Sequence, residues 1–511
     1  MKVIIQFLYR RVVLISVAIA LQLAVLIGVV LKFNNYFVHF YWVSVLASII
    51  AVLWIINDRS NPSYKIAWII PILLFPIFGG LFYIFFGGKR LSKREKLKMK
   101  SAETKIFKFL KPQKGVLNEI VAQSEHASTQ SRYIQNNAHY PPYCNTTGEY
   151  LAIGEMKFER LKEELKKAKH YIFMEYFIIQ EGVMWNSILD ILSDKVKEGV
   201  DVRIIYDDAG CILTLPYNYN KKLEKMGIKC CVFNPMIPVL HVRLNNRDHR
   251  KITIIDGHTG FTGGINLSDE YINGIAKHGH WKDAAIMIKG EAVWSMTVMF
   301  LTLWEYLRGV DEELNRFKAK IRPDRENIAT GYYQPFSDSP LDDEHVGEIV
   351  YKNLINKAKR YVFITTPYLI IDHDMTKTLT SAAKGGIDVR IITPHCADKW
   401  YVHAVTKLNY KVLMESGVKI YEYTPGFIHA KTLVADDEYG VVGTINMDYR
   451  SFFMHYECGV WMYKCTPLRD IRDDFLNTLE VCKEIRLEDY KDFKWYNAFV
   501  GSVLKIFAPL M

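Results

Sequence analysis

A histidine, a lysine two residues later and an aspartate five residues after the lysine form a pattern that occurs twice in this chain. Each copy is followed by a glycine-containing turn that ends on an asparagine, in the sequences TGGIN and VGTIN. The residues concerned are His249, Lys251, Asp256 and Asn266, and then His429, Lys431, Asp436 and Asn446. One such pattern would occur by chance in many proteins, whereas two matched copies indicate a duplicated catalytic element.

The residue types suit chemistry on a phosphate ester. The segments ITII and TLVA, which follow the two histidine-lysine pairs, are typical of short buried strands. Because residues two apart on a strand project to the same face, we expect each histidine and its lysine to point together into a cleft. There the lysine would neutralise phosphate oxygens, and the histidine would attack or transfer a proton. The pattern leaves open whether the motif aspartates touch substrate or brace the hairpin turn.

The duplication extends to the elements that must position these residues. Residues 199–208 (GVDVRIIYDD) match residues 386–395 (GIDVRIITPH) almost one for one, and 168–179 match 358–371 in pattern. Each repeat alternates apolar strands with amphipathic helices, which is typical of α/β units around a buried sheet. We therefore predict two α/β lobes whose motifs share one cleft. Tandem domains with two separate sites fit the same pattern.

The paired motifs, the turns GGIN and GTINMDYRS, and the acidic segments WKDAAIMI and HYECGV resemble the phospholipase D superfamily. Within it, the chain is similar to the bacterial cardiolipin synthases over nearly its whole length. The resemblance implies a two-lobed catalytic domain, a duplicated α/β/α sandwich, and a phosphohistidine mechanism without metal or other cofactor. It also implies an acid behind each histidine. Asp283 and Glu457, roughly thirty residues downstream in each repeat, stand where that acid is expected.

The same resemblance implies that one phosphatidylglycerol donates its phosphatidyl group to another, forming cardiolipin and glycerol. We expect His249 to be the nucleophile and His429 the general acid and then the base, although the two roles could be reversed. Groups that hold the phosphate oxygens stabilise developing charge, and those expected here are Lys251, Lys431, Asn266 and Asn446. A hydrolytic phospholipase D or a phosphatidylserine synthase would use the same site with another acceptor.

Three apolar runs, at 12–31, 37–56 and 66–86, are each long enough to cross a bilayer. Seven lysines or arginines follow between Lys89 and Lys100, and such a block belongs on the cytoplasmic side. Two crossings with a re-entrant third segment place most basic residues there, and three crossings are the alternative. We therefore expect a multi-pass protein of the bacterial cell membrane, with its catalytic domain facing the cytoplasm. This apolar region also argues against a nuclease of the superfamily.

Composition supports a lipid partner. The net charge of +10, with its densest basic run beside an apolar segment, favours phosphatidylglycerol and other anionic lipids over nucleic acid. Eight scattered cysteines show no metal-binding spacing, and two intact motifs argue against an inactive lipid-binding scaffold. We predict membrane segments at 1–88, a basic linker at 89–130, the first repeat at 131–325, the second at 326–490 and an apolar segment at 491–511. The last segment packs on the core or lies in the membrane interface.

Overall fold

The computed structural model describes residues 11–32, 37–58, 61–75, 83, 104–113, 115–236, 246–319, 330–342, 344–490 and 495–510. Its helices are α1 Arg11–Lys32, α2 Phe37–Asn57, α3 Pro62–Leu74, α4 Val116–Gln123, α5 Glu125–Tyr133, α6 Gly154–Lys166, α7 Val183–Lys197, α8 Asp208–Cys211, α9 Tyr219–Lys225, α10 Val293–Arg308, α11 Val346–Lys357, α12 His373–Lys384, α13 Trp400–Met414, α14 Tyr449–Phe453, α15 Pro467–Leu479 and α16 Trp495–Ile506. Its strands are β1 Thr146–Leu151, β2 Tyr171–Tyr176, β3 Asp201–Asp207, β4 Lys229–Phe233, β5 Arg247–Asp248, β6 Ile252–Ile255, β7 Thr259–Gly263, β8 His280–Lys282, β9 Ala285–Gly290, β10 Tyr332–Asp338, β11 Tyr361–Thr365, β12 Leu369–Ile370, β13 Asp388–Pro394, β14 Lys419–Tyr423, β15 Gly426–Ile428, β16 Thr432–Ala435, β17 Tyr439–Gly443, β18 Met447–Asp448, β19 His455–Tyr463 and β20 Cys482–Ile485.

These elements form two lobes, each built on one mixed sheet. The first sheet has the strand order β1-β9-β7-β6-β2-β3-β4, and the second has the order β10-β19-β17-β16-β11-β13-β14-β20. The first seven strands of the second order correspond one for one with the seven of the first. In both lobes the strands joined by helices run parallel, and the strand after the motif forms an antiparallel hairpin. The predicted two-lobed α/β architecture is therefore confirmed.

The sheets form because their strands are apolar runs that are buried on both faces. Every residue of β2 (YIFMEY), β6 (ITII) and β16 (TLVA) is buried. On the first sheet, α7 buries Trp185, Ile188 and Leu192, which recur at helical spacing. Each such side chain contributes about 1.5–3 kcal/mol when it is fully buried, so apolar packing holds the motif strands rigidly in place.

Two short strand pairs cross between the lobes and position the cleft. β5, from the first half, pairs in parallel with β19 of the second sheet and aligns Arg247 with His455. β15, from the second half, pairs in parallel with β8 from the first half and aligns Phe427 with Trp281. Since β5 and β15 lead directly into the two motifs, each motif begins on a strand that is bonded to the opposite half of the chain.

Elements from both ends of the chain pack on the second lobe. Asn61, which caps α3, donates from Nδ2 to Asp372 Oδ2 at 2.8 Å. In α16, Leu504 packs against the catalytic core, and Lys505 Nζ donates to Asn409 Oδ1 of α13 at 3.5 Å. The C-terminal segment, for which the sequence left two locations open, therefore contacts the core.

The apolar runs led us to predict two or three membrane crossings. Large apolar side chains are exposed along α1 and α2, among them Leu21, Val25, Leu31, Trp42, Leu46, Ile50 and Leu53. Within the described residues, however, no helix has both the length and the apolar character needed to span a bilayer. Residues 76–82 and 84–103, which hold the end of the third run and the basic block, lie outside the described residues.

Candidate active site

The two motif histidines lie where the two lobes meet, and each is anchored by the opposite half of the chain. His249 donates its backbone N–H to Tyr456 O at 3.0 Å, and His429 donates to Lys282 O at 2.7 Å. The two residues are nearly buried, with 8% and 7% of their surfaces exposed. The backbones of both histidines are therefore held in place by hydrogen bonds to the opposite half of the chain.

Each imidazole is held by a carboxylate from the other half. The Nδ1 atom of His249 lies 2.9 Å from Glu457 Oε1, and the Nδ1 atom of His429 lies 2.6 Å from Asp283 Oδ2. Both acids are fully buried. Asp283 and Glu457 therefore serve the histidine of the opposite lobe rather than that of their own repeat, so neither centre is complete without both halves.

The two lysines are buried, and each bonds to the backbone of its own motif histidine. Lys251 Nζ donates to His249 O at 2.5 Å, and Lys431 Nζ donates to His429 O. Burial lowers the pKa of Lys251 to about 8 and that of Lys431 to about 7. Burial disfavours the charged form of both amines. A phosphate anion that binds beside them would favour the charged form, and the two ammonium groups would then bind the phosphate.

The surroundings of both imidazoles favour the neutral ring. Burial, followed by the charge of Lys251, lowers the pKa of His249 well below its usual value. Burial and then Lys431 lower the pKa of His429 to about 4, against the opposing effect of Asp283. Lys431 and His429 also depress the pKa of His249. The two motifs therefore share one electrostatic environment, with neutral nitrogens available for attack or proton transfer.

The motif aspartates lie at the far ends of β6 and β16, away from the histidines. Asp256 accepts the backbone N–H groups of residues 169–171, each at 2.8 Å. Asp436 likewise accepts those of residues 359–361, at 2.6–3.0 Å. Both residues have positive φ angles, 51° and 59°, at the hairpin turn. Their carboxylates thus hold the start of β2 and of β11, which favours the bracing role that the sequence left open.

The two turn asparagines lie beside the cleft but differ in their bonding. Asn266 accepts Ile178 N at 3.0 Å and donates to Tyr271 Oη at 2.7 Å. Both ends of its amide are therefore engaged within the protein. Asn446 is buried, and its Oδ1 atom has no hydrogen-bond partner in the part of the chain that the structure describes. Of the two amides, that of Asn446 is the freer to reorient toward a ligand.

Sequence reasoning missed two rings that stand beside the histidines. Trp281 lies 5.4 Å from His429 and His455 lies 5.5 Å from His249, measured between ring centroids. Each lies two residues before the buried acid in the sequence. His455 and Glu457 share one face of β19, whereas Trp281 lies in β8 and Asp283 directly follows the end of that strand. That period of two was the signal in the sequence that could have identified both residues.

One group of three side chains among the described residues could hold a metal ion. The ligand atoms of His249, His455 and Glu457 all lie within 4.8 Å of one another. The charges of Lys251 and Arg450 act on His455 in this cluster and lower its pKa. Since the same charges would repel a divalent cation, the arrangement suits an anion better. The expectation of a metal-free mechanism stays a prediction.

The chain is similar to known protein families over both lobes and over part of its N-terminal region. The family described as "Cardiolipin synthase, PLD-like domain" matches residues 161–304 and 351–479. A second family, "Phospholipase_D-nuclease N-terminal", matches residues 46–88. The two stretches of the first match coincide with the two lobes, and each contains one motif.

Similar proteins match over most of their own length. An uncharacterized protein of Streptococcus mutans is 42% identical and covers 90% of this chain and 99% of its own. A cardiolipin synthase of Geobacillus kaustophilus is 32% identical over 96% of this chain and 98% of its own. The crystal structure of the phosphatidylserine synthase of Haemophilus influenzae has a TM-score of 0.57 and 14% identity, covering 75% of this chain and 98% of that one. This last likeness shows the fold alone.

Proposed function

The chain belongs to the phospholipase D-like cardiolipin synthase family, and we propose that it is a phosphatidyltransferase that joins two phosphatidylglycerol molecules. The products are cardiolipin and free glycerol. The observation that carries the proposal is the pair of neutral imidazoles, each held by a buried acid of the opposite half and each with a buried lysine bonded to its backbone carbonyl. This arrangement supplies a nucleophile, a proton carrier and a phosphate-binding floor in one cleft.

In the first half-reaction, His249 attacks the phosphorus of the donor lipid. A nitrogen–phosphorus bond forms, the bond from phosphorus to the glycerol oxygen breaks, and His429 gives its proton to that oxygen. The two environments support these roles, because burial and the charge of Lys251 lower the pKa of His249, whereas Asp283 acts on His429 in the opposite direction and favours its protonated form. The bound phosphodiester anion would raise the pKa of His429 further, toward the protonated form that a general acid needs.

In the second half-reaction, a hydroxyl of the acceptor phosphatidylglycerol attacks the phosphohistidine. His429, now neutral, takes the hydroxyl proton, the new oxygen–phosphorus bond forms, and the nitrogen–phosphorus bond to His249 breaks. Lys251 and Lys431 would hold the non-bridging oxygens in both steps. Such positioned donors in a site shielded from water are typically a large part of catalysis. Asn446 would add a donor if its amide turned so that Nδ2, rather than Oδ1, which is unpaired within the described residues, faced the phosphate.

We propose that the N-terminal region embeds the protein in the bacterial cell membrane as a multi-pass segment, with the catalytic lobes on the cytoplasmic side. The apolar runs of the sequence, the exposed apolar faces of α1 and α2 and the basic block at 89–100 support this location. Single cysteines at the N-terminus and at Lys93, in a cysteine-free background, should both resist an impermeant reagent in intact cells. Labelling of the Lys93 probe would contradict the cytoplasmic location.

The decisive experiment supplies purified protein with phosphatidylglycerol alone and identifies the products by mass spectrometry. We expect cardiolipin and an equal amount of glycerol. Because one phosphodiester replaces another of similar energy, added glycerol should slow the reaction and, at high concentration, convert cardiolipin back. Activity should also persist after exhaustive chelation of divalent ions. Accumulation of phosphatidic acid as the main product, without an effect of glycerol, would instead support a hydrolytic phospholipase D.

A further inference from the structure

Large apolar and aromatic side chains are exposed along one edge of both lobes. At this edge, called the motif edge below, β2 ends beside the start of β6, and β11 ends beside the start of β16. Both motifs lie there, because β6 and β16 directly follow the motif lysines. Within the described residues of the two lobes, the four most exposed large hydrophobic side chains are at this edge. They are Val183, Leu213, Tyr217 and Trp400, with 67–75% of their surfaces exposed.

Two of these side chains belong to the loop 212–218 of the first lobe, between β3 and α9. Just before the loop, the carboxylate of Asp207 accepts the backbone N–H of Asp248 at 3.0 Å, and Asp248 directly precedes the first motif histidine. Within the loop, Thr214 Oγ1 donates to Ile179 O at 2.7 Å. The loop is therefore fixed beside the first motif while its apolar side chains face outward.

A loop at the corresponding place in the second lobe leads from β13, the counterpart of β3, to Trp400 at the start of α13. In this loop, Asp398 accepts a hydrogen bond from Tyr368 Oη at 2.5 Å. The ring of Tyr368 lies 6.5 Å from that of Phe427, which lies 6.0 Å from that of His429, measured between centroids. A row of neighbouring side chains thus connects this loop with the second motif.

Apolar side chains are less exposed at the opposite edge of the lobes. Val310, which follows α10, Val412, near the end of α13, and Leu487, which follows β20, are 40–44% exposed. Val412 lies in the same helix as Trp400 but about 18 Å farther along it, at 1.5 Å per residue. The strongly exposed apolar surface is therefore confined to the edge that carries the motifs, and such a patch marks an interaction surface.

The apolar N-terminal helices join the second lobe at the same edge. Asn61, which caps α3, bonds to Asp372 at 2.8 Å. Asp372 follows β12, and β12 pairs with β18, which begins directly after Asn446 of the second motif turn. In turn, Ile55 of α2 is buried against Trp68 of α3. The helix with the exposed apolar face is thus attached beside the motifs rather than at the opposite edge.

Basic side chains accompany the aromatic rings at the motif edge. Lys399 directly precedes Trp400, its side chain is 51% exposed, and its Nζ atom lies 5.5 Å from the centroid of the Tyr368 ring. In the first lobe, the exposed Lys221 follows Tyr217 by four residues. Trp and Tyr combine an apolar body with a polar tip, and lysine extends its charge from an apolar stem. This combination suits the headgroup layer of a bilayer that contains anionic lipids.

We propose that the loops 212–218 and 395–401 form a membrane-docking surface that enters the headgroup layer of an anionic bilayer on both sides of the paired motifs. A phospholipid then reaches the histidines from the bilayer without crossing water. A protein partner seated on the same surface would instead obstruct the approach of lipid. The inference rests on the proposed function for the identity of the lipid that enters, whereas the contact with the bilayer can be measured without turnover.

The first test measures the depth of the two loops in the bilayer. Full-length protein in vesicles of phosphatidylglycerol and phosphatidylcholine carries a nitrobenzoxadiazole label on one cysteine, in a cysteine-free background. Labels at Leu213→Cys and at Trp400→Cys should emit at shorter wavelength and be quenched by phosphatidylcholine that carries a nitroxide on its acyl chain. A label at Val412→Cys, in the same helix as Trp400, is the matched control and should not be quenched. Loop labels that behave like the control would overturn the docking surface.

The second test uses activity and keeps the native cysteines. The double variant Leu213→Ser, Trp400→Ser should form cardiolipin from bilayer phosphatidylglycerol about fivefold more slowly or less, since it loses apolar area that enters the lipid. Its turnover of a short-chain, water-soluble phosphatidylglycerol should stay within about twofold of wild type, because exposed substitutions seldom disturb a fold. Val412→Ser should change neither rate.

Equal losses on the two substrates would overturn the docking surface, because the loops would then act on the catalytic centre itself. Bilayer activity that is unchanged in the double variant would overturn it as well. Failure of the proposed function gives a different result, since the wild type would then form no cardiolipin from either substrate. Quenching of both loop labels in that case would still support the docking surface.

Discussion

The two halves of the cleft share one skeleton but differ in what lines it. In both, a histidine is held by a carboxylate from the opposite lobe and lies above a buried lysine. Around His429 the neighbours are aromatic, with Trp281, Tyr271 and Phe427 at 5.4, 5.7 and 6.0 Å between ring centroids. Around His249 they are Phe177 at 5.2 Å and the polar His455.

The two linings suit different steps of the same reaction. Both half-reactions need a histidine held by an acid and a buried lysine, and both halves of the chain supply them. The side chains around the two histidines differ. The aromatic rings around His429 shield this histidine from water, whereas the polar His455 beside His249 can contact a charged group. We therefore expect the two halves to tolerate the same substitution to different degrees, and the predictions below test that expectation from the largest effect to the smallest.

Removal of either histidine should have the largest effect. His249→Ala and His429→Ala should each lower turnover by about 10⁴-fold or more, and the double variant should be no worse than either single one, because the residues act as a unit. Half-activity in each single variant would show two independent sites. To separate the roles, reactions with labelled lipid that are quenched in denaturant at neutral pH, where the nitrogen–phosphorus bond survives, should trap a phosphoenzyme in His429→Ala but not in His249→Ala. The opposite result would reverse the assignment.

Replacement of Asp283 and of Glu457 by the corresponding amides should lower kcat by different amounts in the two halves of the site. Burial raises the pKa of Glu457 to about 8, so at pH 7 this group is mostly protonated and an amide can replace it with little change in charge. Asp283 has to stabilise a positive imidazolium on His429, a role in which loss of the carboxylate costs about 10²–10⁴-fold. We expect Asp283→Asn to approach that loss in kcat at pH 7 and Glu457→Gln to lose only about tenfold.

Measurement of Glu457→Gln at pH 9 provides the control. Above about pH 8 the wild-type carboxyl is ionised, so the variant should then differ from wild type more than it does at pH 7. Equal losses for the two carboxylate variants at pH 7, with no further change at pH 9, would show that the halves are electrostatically equivalent despite their linings.

The sequence predicted the fold and the main site residues because both depend on local patterns. The repeated G-[VI]-DVRII segments form β3 and β13, and the segments ITII and TLVA form β6 and β16. The histidine and lysine of each motif lie in the short link just before β6 or β16 rather than on the strand. The exchange of Asp283 and Glu457 between lobes could not be predicted in this way. It depends on β5 pairing with β19 and β15 pairing with β8, which are contacts between residues far apart in the chain.

The motif aspartates illustrate a second limit of sequence reasoning. A repeated Asp beside a catalytic pair suggests a chemical role, yet Asp256 and Asp436 lie at the opposite ends of their strands and bind backbone N–H groups. Their repetition reflects the repeated hairpin turn, in which a residue with positive φ also caps the neighbouring strand. Only coordinates distinguish a residue that is repeated for folding from one that is repeated for chemistry.

The dependence of substrate binding on pH tests the lysines of both halves together. Lys251 and Lys431, with pKa values of about 8 and 7, carry positive charge below these values and lose it as the pH rises. Since the phosphodiester stays anionic throughout, kcat/KM should fall by about tenfold per unit between about pH 7 and 8, where Lys431 titrates, and by up to about a hundredfold per unit above about pH 8, where both lysines lose their protons. The fall should appear mainly as a higher KM. A flat profile up to pH 10 would show that the lysines do not bind the phosphate as free amines.

The smallest effect concerns the turns that carry the two asparagines, which are held by different donors. Lys157 Nζ donates to Ile265 O at 2.8 Å, whereas Tyr351 Oη donates to Ile445 O at 3.1 Å. Each bond should contribute about 1 kcal/mol to stability. Burial, however, lowers the pKa of Lys157 to about 7 and raises that of Tyr351.

These opposite shifts predict different pH behaviour for Lys157→Met and Tyr351→Phe. The pKa of Lys157 is about 7 in the folded protein and about 10.4 in the unfolded chain. Between these two pH values the chain must release this proton in order to fold, and the free-energy cost of the release decreases as the pH rises. Between pH 7 and 9 the wild type should therefore gain stability relative to Lys157→Met as the pH rises. Tyr351 stays protonated in both states over this range, so the cost of Tyr351→Phe should be constant. Thermal unfolding of the three proteins from pH 6 to 9 measures both differences, and parallel curves for all three would show that the buried amine is not the group that distinguishes the two turns.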